Sequence, residues 1–169
     1  ERATGELSVG AGFSSADGLI GNTSIRERNL LGRGQNLKLA FSISGRTQQL
    51  DLSFTEPYFL DRNLAAGFDV FRITHDLQAE SGYDEESVGF VMRAGYRLIG
   101  DIKQSWSYTL RRDEIQDLSA TVSRFIRDRR LDTTTSSISQ ALIYDQRNDR
   151  TDPSDGHILQ LTTDYAGLG

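Results

Sequence analysis

The chain has 169 residues, with 19 lysines and arginines against 24 aspartates and glutamates, a formal charge of −5, two histidines and no cysteine. Without cysteine it has neither a disulfide framework nor a thiolate metal site, two histidines supply zinc poorly, and the acidic balance argues against a dedicated nucleic-acid partner. Only 37% of the residues are apolar, and no apolar run approaches the roughly 20 residues of a membrane helix, which excludes a helical membrane protein. The segment from Glu1 shows no basic, apolar and small-residue succession of a signal peptide. That leaves a cytosolic chain, or a piece whose targeting signal lies elsewhere. Sixteen glycines with two prolines suit β-structure with tight turns better than disorder.

Taken in chain order, the elements share a period of two. Leu7, Val9, Ala11 and Phe13 alternate with Glu6, Ser8, Gly10 and Gly12. Leu37, Leu39, Phe41 and Ile43 oppose Lys38, Ala40, Ser42 and Ser44, and Leu50, Leu52 and Phe54 oppose Asp51 and Ser53. Val88, Phe90, Met92, Ala94 and Tyr96 then alternate with Gly89, Val91, Arg93 and Gly95, and Trp106, Tyr108 and Leu110 with Ser105, Ser107 and Thr109. Leu159, Leu161 and Tyr165 repeat the design against Gln160, Thr162 and Asp164. Turn signals separate these runs at Ser14–Gly18, Asn29–Gly34, Gly45–Thr47, Glu56–Arg62, Asp76–Asp84 and Leu98–Asp101. Such short connections predict an antiparallel meander. About nine strands of about ten residues are expected, starting near Gly5, Leu19, Gln35, Gln48, Asn63, Asp84, Ile102, Leu131 and His157. Ala120–Arg130 breaks the rhythm and reads as a long charged loop with a helical turn.

Globular strands average about five or six residues, whereas a tilted strand crossing a bilayer needs about nine to eleven. Small and charged residues on the wet faces suit a water-filled lumen, and Phe13, Tyr58, Phe59, Tyr96, Tyr144 and Tyr165 near strand ends suit interfacial girdles. A soluble sheet with one exposed face also alternates, so a soluble all-β binding domain stands beside the membrane barrel at this point.

The polar run from Tyr144 to Gly156, YDQRNDRTDPSDG, lacks the spacing of a calcium loop. It reads as a turn in which Asp and Asn bond their own backbone, Pro153 bends the chain and Gly156 supplies a positive φ. His75 and His157 lie in no nucleophile motif and are expected to be polar residues at strand ends, so no enzyme is predicted and no cofactor. Arg26, Arg28, Arg93 and Lys103 form a candidate basic lumen patch. Arg124, Arg127, Arg129 and Arg130 are candidates for anionic lipopolysaccharide. The Asn22-Thr23-Ser24 sequon is taken as coincidence.

Three ordered elements resemble the barrel of the bacterial surface antigen family. The first is an N-x-L-G-x-G turn after the opening hairpin, here Asn29, Leu31, Gly32 and Gly34. The second is an [N/E]-P-Y-F turn between the fourth and fifth strands, here Glu56, Pro57, Tyr58 and Phe59. The third is a D-x-R-[D/N] element with a later P-x-x-G before the ninth strand, here Asp145, Arg147, Asn148, Pro153 and Gly156.

The resemblance implies an integral protein of the bacterial outer membrane: an all-β, antiparallel up-and-down transmembrane β-barrel of about sixteen strands. Residues 1–169 are expected to hold its first half, with the POTRA domains and the second half, including a long inward-folded loop, lying outside this chain. It further implies a barrel whose seam opens laterally to insert other outer-membrane proteins. Its partners would be outer-membrane lipids, unfolded clients and, through the POTRA domains, assembly lipoproteins. The first strand of that seam is Gly5, Leu7, Val9, Gly10, Gly12 and Phe13, with Gly5, Gly10 and Gly12 expected on its wet face to loosen strand packing. Relief of crowding inside the barrel is the plainer account of these glycines. A related secretion barrel is the alternative activity, either a two-partner-secretion transporter or an autotransporter-assembly paralogue.

Overall fold

A computed structural model of the chain describes residues 4–119, 122, 131–149 and 151–167. Among them, nine strands form one antiparallel sheet in strict chain order. They are β1 (Gly5–Ser14), β2 (Gly18–Leu30), β3 (Gln35–Ile43), β4 (Thr47–Glu56), β5 (Leu64–Asp76), β6 (Asp84–Ile99), β7 (Ile102–Gln116), β8 (Asp132–Asp145) and β9 (Ile158–Ala166). Every start lies within one residue of its expected position, because glycine, proline and Asx clusters stop alternating runs on both sides. β5 to β8 run to between 13 and 16 residues, longer than expected. Most of the charged Ala120–Arg130 segment, including its four arginines, lies outside the described residues.

Register carries the alternation across the whole sheet. One row pairs Leu7 with Ile25, Ile25 with Leu39, Leu39 with Leu52 and Leu52 with Val70. It continues from Val70 to Phe90, Leu110 and Ser136. The next row on the other face runs Ser24, Ala40, Asp51, Phe71, Gly89, Arg111 and Thr135. Since side chains alternate strictly along a strand, all the apolar stripes share one face, here termed outward, and the polar stripes share the inner one.

The apolar face is uncovered. Among the described residues Val122 is the single buried hydrophobic, while Leu7, Val9, Phe41, Leu50, Val70, Met92 and Leu161 are exposed. The surface measures 12156 Å², against roughly 8,300 Å² for a compact soluble protein of this mass. A sandwich would have packed two sheets over a shared core. One sheet with an open apolar face is instead what lipid contact requires.

One expectation about β1 is corrected. Gly10 and Gly12 do lie on the inner face, but Gly5 shares the parity of Leu7 and pairs with Glu27, so it faces outward.

Candidate functional site: the motif rim and the two faces of the wall

The strand connections alternate between two rims. The turns after β2, β4, β6 and β8 share one rim, and this rim carries all three sequence motifs. Each is closed by a side-chain carbonyl or carboxylate standing in for a backbone acceptor.

In the first turn Asn29 Oδ1 accepts from the Gly34 amide at 2.6 Å, and the Gly32 amide reaches Asn29 O at 2.9 Å. Leu31, Gly32 and Gly34 take φ of 56°, 72° and 71°, the left-handed region that favours glycine, so Leu31 pays a local strain there. In the second turn Glu56 Oε1 accepts from the Tyr58 amide at 3.2 Å, ahead of a 3-10 turn at Phe59–Asp61. Its Oε2 accepts from Gln35 Nε2 at 2.6 Å, which ties the two turns together. Tyr58 is 64% exposed. The third turn stands apart on the same rim, beyond the Gly100–Asp101 connection between β6 and β7.

There Asn148 Oδ1 collects the amides of Asp149, Ser154 and Asp155 at 2.9, 3.2 and 3.1 Å. Its Nδ2 donates to Ser154 Oγ at 2.7 Å. Arg147 Nε and Nη2 reach Asp145 Oδ1 and Oδ2 at 2.8 and 3.1 Å, and this carboxylate holds the guanidinium above its ordinary pKa. The Asp149 carboxyl is held below its ordinary value by the Thr151 and Asp152 amides. Gly156 has φ 97°, and a Cβ there would sit 2.1 Å from Gln146 O, so only glycine fits. Pro153 is exposed at the tip. The aspartates of this run therefore order a turn, as their sequence pattern suggests. Among the described residues no group of three potential metal ligands occurs.

On the inner face several of the basic residues are paired. Arg93 Nη2 donates to Asp69 Oδ1 at 2.9 Å and lies 3.3 Å from Ser53 Oγ. Arg28 reaches Glu6 at 2.7 Å, Arg111 reaches Asp113 at 2.6 Å, and Arg26 Nε donates to Asn36 Oδ1 at 3.0 Å. Of the candidate basic patch, Arg28 and Arg93 thus meet carboxylates and Arg26 a neutral amide, while Lys103 lies on the same face opposite Arg97. Asn22 of the sequon faces the same side, accepting from Ser42 Oγ at 2.6 Å. Phe71 breaks the polar pattern: a Cβ on Gly89 would fall 2.2 Å from its ring, so the ring lies over the glycine and fills the gap a missing side chain leaves. By contrast, Gly12 has no atom within 4 Å of an added Cβ, and at Gly10 the nearest is Asn22 Cβ at 4.0 Å. Crowding among the described residues does not account for Gly10 and Gly12, whereas a Cβ on Gly5 would meet Glu27 Oε2 at 3.3 Å.

The outward apolar stretch of β6 runs from Val88 to Tyr96. At about 3.3 Å per residue and a tilt of about 40° it spans about 20 Å of depth, close to the roughly 25 Å apolar band of a membrane barrel. Beyond it, toward the other rim, charges begin: Arg72 pairs with Glu86 at 2.8 Å and Arg112 with Asp132 at 2.6 Å. Charged residues on the lipid side are tolerated near an interface and not at the midplane, so these pairs mark where the hydrocarbon ends. At both ends of β1 to β9 the outer strand edges are unpaired among the described residues.

The fold and faces thus define the wall of a transmembrane β-barrel. The Omp85 superfamily domain model matches residues 29–169, and the chain belongs to that superfamily. It is similar to the outer membrane protein assembly factor BamA of Neorickettsia risticii, with 25% identity over the whole chain and 23% of that protein. BamA of Neisseria meningitidis serogroup B is 33% identical over 58% of the chain and 12% of its own length. A SAM50-like protein of Drosophila melanogaster is 27% identical over 96% of the chain and 38% of its own length. The crystal structure of BamA from Haemophilus ducreyi lacking POTRA domains 1–3 superposes with a TM-score of 0.71 at 22% identity, covering all of this chain and 35% of that one. The chain therefore spans less than half the length of each of these relatives.

Signals not read from the sequence were Gln35, which bridges two motifs, and Phe71, an apolar residue at a polar parity. The second is visible in the FDVFRIT run; the first depends on register.

Proposed function

We propose that this chain is the first half of the barrel of an assembly factor that inserts β-barrel proteins into the bacterial outer membrane, with β1 as one lip of a laterally opening seam. The observation that carries the reading is β1 itself. Among the described residues it exposes Leu7, Val9 and Phe13 outward at 68%, 77% and 77%, and it has two inner-face glycines, Gly10 and Gly12, that no described neighbour demands. A glycine-weakened strand at a seam that opens can template an incoming strand through backbone hydrogen bonds, which tolerate any client sequence. An open edge in hydrocarbon is costly, so closure by a second barrel half of about eight strands and periplasmic POTRA domains preceding Gly5 belong to the same reading. The motif rim is then periplasmic. Unfolded outer-membrane proteins are the clients, membrane lipids solvate the outward face, and assembly lipoproteins engage through the POTRA domains. No catalytic step is invoked.

Because the chain contains no cysteine, a single thiol introduced at Ser8 in the full-length protein labels β1 alone within this segment. Expected is a disulfide to a client that carries a cysteine in its terminal strand and is stalled during insertion. A folded Ser8→Cys protein that crosslinks to no client strand overturns the proposal.

A further inference from the structure

On the outward face, the small pair Ala66 and Ala94 sit directly opposite each other on β5 and β6. Their row continues to Glu56 on β4 and to Trp106 on β7. Neighbouring strands lie about 4.8 Å apart, so two adjacent alanines leave a floor about two strands wide. Phe68 and Met92 wall it toward the membrane centre, Trp106 along β7, and Phe59 at the rim, enclosing a cleft of about 650 Å³. Arg93 contributes only from below, since its guanidinium lies on the inner face with Asp69. Among the described residues Glu56 is thus the one charged group that lines the cleft on its own face, beside the Tyr108 phenol. Each of its oxygens accepts one hydrogen bond, and an ionised carboxylate offers about four acceptor sites.

We propose that this cleft holds one phospholipid of the leaflet at the motif rim, an acyl chain lying on Ala66 and Ala94 and a primary-ammonium headgroup reaching Glu56. The occupant follows from where the cleft opens and from its charge. It faces hydrocarbon, so an extended alkyl chain fills it. Its rim carries the Glu56 carboxylate, with Arg33 beside Glu56 and Phe59 in the adjoining pocket, so a zwitterionic headgroup of the phosphatidylethanolamine class, ammonium toward Glu56 and phosphate toward Arg33, is favoured over one that lacks an ammonium. Lipid tails outside are as apolar as the cleft, so retention comes from close packing and the rim charge, not from hydrophobic transfer. The proposal rests on the outward face meeting lipid and is independent of client insertion.

The test uses the full-length protein, extracted in detergent and studied by native mass spectrometry with added phosphatidylethanolamine or phosphatidylglycerol. The wild type is expected to retain one phosphatidylethanolamine in about fivefold preference. Ala94→Phe fills the floor and lowers retention of both lipids about tenfold. Glu56→Gln keeps a bound lipid but abolishes the headgroup preference. Heat-modifiable gel mobility verifies that each variant is folded, and Ala66→Leu replaces Ala94→Phe if the latter is not. Equal retention of the two lipids by the wild type, or undiminished retention in the folded cleft-filling variant, overturns the proposal. Neither result bears on client crosslinking at Ser8.

Discussion

The two faces of the sheet can be separated by a shift of one residue. Leu39 lies in the middle of β3, is 44% exposed, and pairs with Ile25 and Leu52 on the outward face. Ala40 pairs with Ser24 and Asp51 on the inner one. Leu39→Arg places a guanidinium near the bilayer midplane, where the penalty is about 2–4 kcal/mol, a roughly 30- to 900-fold fall in the folded-to-unfolded ratio. Ala40→Arg places the same group beside Asp51 in hydrated surroundings and is expected to change stability by about 0.5 kcal/mol or less. The measurement is equilibrium urea unfolding of the full-length protein's barrel in phospholipid vesicles, with matched slopes for the two variants. Equal losses at the two positions, or a larger one at Ala40, would refute the face assignment and the membrane reading with it. A soluble sheet would show the opposite signature, since an arginine on its exposed apolar face would improve solubility at little loss of stability.

Gly89→Ala drives a methyl into the Phe71 ring and is expected to destabilise by about 1–3 kcal/mol; in a double-mutant cycle Phe71→Ala should recover most of that loss, and additive losses would show that the ring does not occupy the gap. Asn148→Ala removes one acceptor from three amides and should free the third turn to proteolysis, while Asn148→Asp keeps the acceptor and should protect it; equal cleavage of the two variants contradicts the clamp. The Asp149 carboxyl is depressed in the folded turn, so its contribution is complete above the ordinary value of 3.8 and fades as pH falls through the lower folded value. Carboxyl ¹³C titration by NMR should therefore place Asp149 below the same residue in an unfolded peptide, and a titration at or above the peptide's contradicts the two amide bonds.

The legible part of this protein is its rhythm. Strand starts and the three turn motifs follow from alternation and from residues that stop it, such as Gly34, Pro57 and Gly156, because those signals act within a few residues. Contacts across strands are another matter. That Gln35 meets Glu56, that Arg93 meets Asp69, or that Phe71 covers Gly89 depends on register, which a one-residue slip would invert. The Gly5 correction is of the simpler kind: its odd position already placed it with Leu7. The outward cleft needed two alanines on different strands to become opposite neighbours, and no local pattern announces that. The length of β5 to β8 was also hidden, because Glu86, Arg112 and Asp132 interrupt the apolar stripe while the backbone ladder runs on.

A sheet whose interior is lipid on one side and water on the other has no jigsaw core to preserve. Its side chains must keep parity and volume class, and three rim residues must keep closing their turns, but most positions need no particular partner. Such a wall can drift. That is how 22% identity coexists with a TM-score of 0.71. It also means that exchanging a whole strand for one of equal length and phase is a milder change here than a single slipped residue.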